Sequence, residues 1–197
     1  MDALTLRRFC TVGIIAAFVL SASLEGFSGE LAAEEATPRK TLKQRPNFVI
    51  VLCDDLGYGD LASYGHKVIQ TPHLDRFAKE SLKLTSCYAA APNCSPSRTG
   101  MMTGRTPMRV GIHNWIPVLS PMHVRKREIT VATLLRQAGY ATCIAGKWHL
   151  NGRFNLPGQP QPSDHGFDHW FATQNNALPC HKNPDNFVRN GKPLGKL

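Results

Sequence analysis

The sequence predicts an α/β fold built on a parallel central sheet. Three observations carry that expectation. Asn47–Cys53 (NFVIVLC) is a continuous apolar, β-branched run, the pattern of a strand buried on both faces. Strand-like and helical patterns then alternate along the chain, the order that gives parallel strands with crossover helices. Finally, three strand-like runs each deliver reactive side chains at their ends: Asp54-Asp55, then Cys94, then Lys147 with His149. In open α/β sheets the ligand site lies beyond the carboxyl ends of the strands, so these three segments are expected to share one site.

Taken in order, the first element is a targeting segment. Arg7 and Arg8 precede an apolar run from Phe9 to about Leu24, followed by small residues. That is the layout of a secretory signal peptide, assigned here to residues 1–33. The apolar run is short for a membrane span, which needs about 20 residues, so no stable span is expected and the protein is read as exported, periplasmic or secreted. Residues 34–45 are polar, charged and aperiodic, and read as a linker. The folded part begins at 46.

After the Asn47–Cys53 strand, Gly57 and Gly59 interrupt regular structure. Thr71-Pro72 has the form of a helix start, with Thr71 as cap and Pro72 at the first position. Leu74, Phe77, Ala78 and Leu82 follow at helical spacing. Leu82–Ala91 resembles a second strand leading to Cys94. Pro96 suits the first turn of a helix, which puts Cys94 at or just before its N-terminus, with Arg98 one turn on along the same face. Thr106–Arg127 is irregular and proline-rich; its length marks it as functional or as a lid. Thr130–Gly139 reads as a short helix capped by Thr130, with Leu134 and Leu135 inward and Gly139 as the stop. Tyr140–Ala145 is the third strand. Phe187–Leu194 enters an Asn190-Gly191 turn, and the partner strand is not expected to be completed.

The chain has 197 residues, 42% hydrophobic and 19% charged, with a formal net charge of +9. These values describe a globular domain rather than a disordered one. The positive residues are scattered, and the dense runs Arg39–Arg45 and Arg125–Arg127 are not interleaved with aromatics. Nucleic-acid binding is therefore not expected, and a basic field that draws in an anionic substrate fits better. Of six cysteines, Cys10 leaves with the signal. Cys53, Cys87 and Cys143 lie in or at the end of apolar runs and are expected to be buried and reduced. Five is an odd number, so at least one is unpaired.

The candidate site residues each admit two readings. Asp54 and Asp55 are adjacent carboxylates that repel unless a cation neutralises them, and oxygen ligands point to Ca²⁺ or Mg²⁺. A solvated loop pair or a helix cap is the alternative. Lys147 and His149 face one side of an extended chain, with Trp148 turned away, and can bind an anion and move a proton. A surface lysine beside a packed histidine is the alternative. Cys94 at a positive helix end beside Arg98 forms an anion site, against the commoner buried free cysteine.

Taken together, these segments resemble a type I, formylglycine-dependent sulfatase of the alkaline phosphatase superfamily, arylsulfatase-like in its motifs. The resemblance rests on Cys94-Ser95-Pro96-Ser97-Arg98 with Thr103-Gly104-Arg105. It rests also on Pro46-Asn47 through Asp54-Asp55-Leu56-Gly57, and on Gly146-Lys147-Trp148-His149-Leu150. It spans residues 46–197. It implies an alkaline-phosphatase-like sandwich with a mostly parallel central β-sheet flanked by helices. It implies that Cys94 is oxidised to Cα-formylglycine by a formylglycine-generating enzyme. The hydrated aldehyde would attack the sulfur of a sulfate ester and later expel sulfate by elimination. Asp54, Asp55 and the modified Cys94 would ligate the metal, Ca²⁺ in preference to Mg²⁺. Arg98 would hold the diol, Lys147 the sulfate oxygens, and His149 would orient or protonate. The substrate would be a sulfated small molecule or polysaccharide.

The resemblance further implies two more metal ligands and a second Lys and His, downstream of Lys147. Asp164-His165-Gly166 has a superficial likeness to them, yet it lies too close to Lys147 and fits the family's own loop there. The chain is therefore expected to be the truncated N-terminal portion of a sulfatase catalytic domain, an incomplete enzyme that binds metal weakly. A formylglycine-type phosphonate or phosphodiester hydrolase, or a non-catalytic anion-binding fragment, is the competing expectation.

Overall fold

The computed structural model describes residues 45–197; the signal-peptide assignment and nearly all of the 34–45 linker lie outside the described residues. Among the described residues no helix is long and apolar enough to cross a membrane. The body from Val51 to Leu197 forms one compact unit. Its helices are α1 (Pro72–Glu80), α2 (Cys94–Thr103), α3 (Pro107–Val110) and α4 (Val131–Gln137). Its strands are β1 (Cys143–Lys147), β2 (His169–Thr173), β3 (Val188–Arg189) and β4 (Lys192–Pro193).

The four strands form one mixed sheet in the order β1-β2-β3-β4. β1 and β2 are parallel, with Lys147 opposite Thr173, and the later pairs are antiparallel. The β1–β2 ladder continues past Lys147: Trp148 N–H donates to Thr173 O at 2.9 Å and His149 N–H donates to Gln174 O at 2.8 Å. The Asn190-Gly191 turn has positive φ at both residues, 46° and 87°, the geometry of the tightest hairpins. Contrary to expectation, β4 does complete this hairpin, because the turn brings Lys192 directly opposite Arg189.

Two expected strands are absent. Residues 47–53 and 82–91 form no regular strand among the described residues. A strand exists through ladder bonds to a neighbour. In the described sheet β1 is an edge strand whose one partner is β2, so apolar character at 47–53 finds no ladder there. Val51 is 82% exposed. Of the three cysteines expected to be buried, Cys53 and Cys87 are exposed for the same reason, Cys143 is exposed at the start of the edge strand β1, and no disulfide forms among the described cysteines.

Of the four α-helices described, α4 alone has a side-chain cap. Thr130 accepts a hydrogen bond from Thr133 N–H at 3.1 Å and starts α4, as its position predicts. Leu134 is 56% exposed, however; Ala132 is the residue of α4 that enters the core. In α1 the Thr71 hydroxyl donates to Asp75 Oδ1 and accepts from Ala62 N–H, rather than capping the helix itself. Leu74 and Phe77, the apolar positions of α1, are exposed.

The core is centred on Trp148, Ile112, Ile116, Val124, Leu150 and Trp170. Three of these come from the irregular 106–127 segment. That segment therefore packs as part of the interior rather than hanging as a lid, and buried apolar side chains fix its backbone next to α2 and the end of β1. At Gly100 of α2 a Cβ would stand 2.3 Å from Ala90 Cβ, so glycine permits the close approach of the 88–91 segment that leads into the helix.

Candidate active site

The site forms where the chain leaves β1 and where α2 begins. Cys94 is the first residue of α2, Asn93 is its cap with extended φ and ψ, and Gly104 closes the helix in the left-handed region. Pro96 lies in the first turn, where no intrahelical partner is lost. Ser95 and Thr99 are fully buried, which sets the face of α2 that carries Arg98 against the body.

Arg98 is the hub. Its NH1 donates to Lys147 O at 2.9 Å and its NH2 donates to Asp54 Oδ1 at 2.9 Å. Lys147 Nζ donates to the other oxygen, Asp54 Oδ2, at 2.9 Å. One carboxylate is thus held by two cations from two different segments. Burial raises the Asp54 pKa, but hydrogen bonds and charge from Lys147 and Arg98 outweigh it and hold the carboxyl below its ordinary value. Asp55, with φ at 59°, stands beside it. One ligand atom each from Asp54, Asp55 and Cys94 lie within 4.8 Å of one another. Each carboxylate oxygen accepts more than one bond, so engagement by Arg98 and Lys147 leaves Asp54 capacity for a cation.

His149 follows Lys147 by two residues, and Trp148 between them is buried in the core, as alternation predicts. His149 itself leaves the extended conformation, with φ at 54°. It is 1% exposed. Its Nε2 lies 3.0 Å from Ile116 O, and a carbonyl only accepts, so Nε2 carries the proton. Nδ1 is buried without a hydrogen-bond partner. Burial lowers the His149 pKa to about 4, helped by the charges of Lys147 and Arg98 and opposed by the Ile116 hydrogen bond and Asp54. The ring is therefore neutral at physiological pH. Trp115 lies beside it, with ring centroids 6.3 Å apart.

The structure thus brings Asp54, Asp55, Cys94, Arg98 and Lys147 together, with His149 within electrostatic reach. His113, in the same 106–127 segment as Trp115, contacts Met108. Asp164 and His165 are occupied elsewhere: Asp164 completes the cap of a short 3-10 turn and pairs with Lys126, and His165 is buried behind Trp148.

Several supporting groups carry little sequence signal. Ser95 Oγ accepts from Ile116 N–H at 3.0 Å, tying the start of α2 to the 106–127 segment. Buried Glu128 accepts from both Arg105 and Arg125, which fixes the arginine that closes the cysteine segment. A single acid next to Arg125–Arg127 was the readable hint of that clamp. Gln174 Nε2 donates to Ile116 O at 3.1 Å and to Asn151 O at 3.0 Å, and nothing in its neighbourhood in the sequence announces it.

The sequence pattern of the Sulfatase family matches residues 46–192. The chain belongs to the sulfatase family. This sulfatase-family chain is 43% identical over 156 residues to mouse (Mus musculus) steryl-sulfatase, covering 75% of the chain and 25% of that relative. It is 41% identical over 160 residues to pig (Sus scrofa) N-acetylgalactosamine-6-sulfatase, covering 77% of the chain and 29% of that relative. The chain thus spans about a quarter of the length of these curated relatives. Among solved structures it is similar to Ps i-CgsB, with a TM-score of 0.67 and 29% identity over 77% of this chain and 38% of that one. That protein is also known in complex with k-i-k-neocarrahexaose, where the TM-score is 0.62 at 29% identity over 72% of this chain and 35% of that one. The fold is accordingly that of the alkaline-phosphatase-like sulfatases, seen here as a partial mixed sheet with flanking helices.

Proposed function

We propose that this chain carries the nucleophile-bearing part of a sulfuric ester hydrolase. The observation that supports this most is the convergence of Arg98 and Lys147 on Asp54, with Asp55 and Cys94 alongside. That arrangement sets two cations beside a cluster of anionic ligands at a helix N-terminus, the requirement for holding a tetrahedral sulfate against a divalent cation.

The donor set fits a hard ion on one condition. Two carboxylates favour Ca²⁺, whereas a thiol favours softer metals. With residue 94 as formylglycine all three ligands offer oxygen, and Ca²⁺ becomes the better match. When bound, the ion supplies positive charge that lowers the cost of the anionic transition state. Residue 94, once oxidised and hydrated, would supply a hydroxyl to attack sulfur as the bond to the leaving alcohol breaks. Arg98 holds the group at 94, Lys147 takes the sulfate oxygens, and neutral His149 offers Nδ1 as a proton acceptor. Trp115 borders the space for the leaving alcohol. The domain assignment is 46–197 as catalytic-domain sequence behind a signal peptide (1–33) and linker (34–45), with export to a periplasmic or extracellular location. Substrates are sulfated small molecules or polysaccharides. The oligosaccharide held by Ps i-CgsB supports the polysaccharide arm.

The test is to express the chain with a formylglycine-generating enzyme and weigh the peptide containing Cys94. A loss of about 18 Da relative to the thiol is expected. A form that spans the full length of the relatives is then offered an aryl sulfate and an aryl phosphodiester. Preference for the diester would replace sulfatase by phosphodiester hydrolase, and an unmodified thiol would point to an anion-binding role.

A further inference from the structure

The peptide at Ile116 is a crossing point of three elements. Its N–H reaches Ser95 of α2, and its carbonyl receives both His149 Nε2 and Gln174 Nε2. Ile116 is 0% exposed, so water does not compete for these bonds. A carbonyl has two lone pairs, and both are used here. Gln174 also accepts the His149 backbone N–H at 2.8 Å on its own carbonyl. It therefore grips His149 at the backbone directly and at the ring through Ile116.

The orientation of the Gln174 amide is fixed by chemistry. Its Nε2 faces two carbonyls, Ile116 O and Asn151 O, and an amide oxygen in that place would be repelled by both. Holding these carbonyls together is what keeps Ile116 O in reach of the imidazole. His149 needs such support, because a non-glycine residue at φ 54° in the interior is strained.

We propose that Gln174 is a positioning residue for His149: by bridging Ile116 O and Asn151 O it holds the ring as the Nε2–H tautomer and keeps Nδ1 bare. This rests on the reading of His149 as a site residue. Gln174 touches no reacting atom and acts through the histidine. Without its donor, Ile116 O loses its second anchor, the ring gains freedom, and the Nδ1–H tautomer becomes populated.

The experiment is ring ¹⁵N spectroscopy of the 197-residue chain labelled at histidine. Wild type is expected to show one His149 tautomer with a slowly exchanging Nε2–H proton. An Nδ1–H ring or a rapidly exchanging proton in wild type overturns the proposal, whether or not any variant folds. In Gln174→Met, equal in length without the donor, loss of the slow Nε2–H signal and mixed tautomers support it. Retention of the wild-type ring signature in a folded Gln174→Met overturns it. Gln174→Glu, which places oxygen against two carbonyls, is expected to lose the signal as well. The sulfatase reading is tested separately by the mass of the Cys94 peptide: loss of the tautomer signature in Gln174→Met together with an unmodified thiol at Cys94, after co-expression with a formylglycine-generating enzyme, supports the positioning role and sinks the sulfatase reading.

Discussion

Lys147 and Asp54 stand 93 residues apart in sequence and meet at 2.9 Å, Nζ to Oδ2. Arg98 takes the other oxygen of the same carboxylate. Asp54 therefore ties the loop at 54–55, the cysteine helix and the end of β1 into one charged cluster. Substitutions at its two ends should act oppositely on a cation. Asp54→Asn removes a ligand and leaves two cations facing the site, so Ca²⁺ binding should be lost. Lys147→Met removes a competing positive charge, so Ca²⁺ binding should hold or tighten. Stability should also fall for Asp54→Asn, because Arg98 and Lys147, with side chains 10% and 12% exposed, lose their shared carboxylate. Calorimetric titration with Ca²⁺ checks the pair, and equal loss in both variants would remove Asp54 from the metal site.

Acid should weaken the fold in a defined window. His149 has its folded pKa depressed by burial to about 4 from an ordinary 6.5. Between these values the unfolded chain binds the proton and the folded chain does not, so stability rises with pH. The contribution is complete above 6.5, is lost as pH falls towards 4, and amounts to about 3 kcal/mol. Buried His165 acts in the same direction. Asp54 is also depressed, but its contribution disappears only below the ordinary carboxylate range near 3.8. Urea unfolding between pH 4 and 7 should show the slope, and His149→Gln should reduce it to the part left by His165. An unchanged slope in that variant would mean that the ring is solvated.

The site was more legible than the fold around it, for a physical reason. Cys94, Pro96 and Arg98 lie within one helical turn, and Thr130 caps a helix next to it, so local geometry carries the information. Lys147 is likewise placed by the end of one strand, β1, whereas His149 departs from the extended pattern with φ at 54° and is buried like Trp148. Asn47–Cys53 and Leu82–Ala91 are different. An apolar run says that apolar surface is to be covered, not by what, and the described sheet does not reach either run. Leu134 fails similarly: helical spacing offers a face, and the core takes Ala132 instead. Gln174 was invisible because an amide that bonds two backbone carbonyls leaves no pattern in sequence.

Cys94→Ala should separate chemistry from folding. Cys94 is half-buried, its thiol has no structural disulfide to lose, and alanine favours a helix. The melting temperature should stay within about 2–4 °C of wild type, the shift that 1 kcal/mol gives at this size. Any hydrolysis of an aryl sulfate by the modified wild-type chain should vanish. Substantial activity in the alanine variant would place the nucleophile elsewhere.

The contact between α2 and the segment before it can be tested without touching any charged group. A Cβ at Gly100 would come within 2.3 Å of Ala90 Cβ, closer than real side chains approach. Gly100→Ala gains helix propensity by roughly 1 kcal/mol in an unconstrained helix, yet here overpacking of about 1–3 kcal/mol should dominate and destabilise. Ala90→Gly removes the obstructing methyl. In the double variant the clash is gone and the propensity gain remains, so part of the lost stability should return. The coupling measured by the four-member cycle should therefore be favourable, of order 1 kcal/mol or more for groups in direct contact. Thermal unfolding of the four proteins gives that number. Additive effects would show that the 88–91 segment does not press on α2, and the support for the cysteine helix would then have to come from its other ties, such as Ser95 to Ile116 and Arg98 to Lys147.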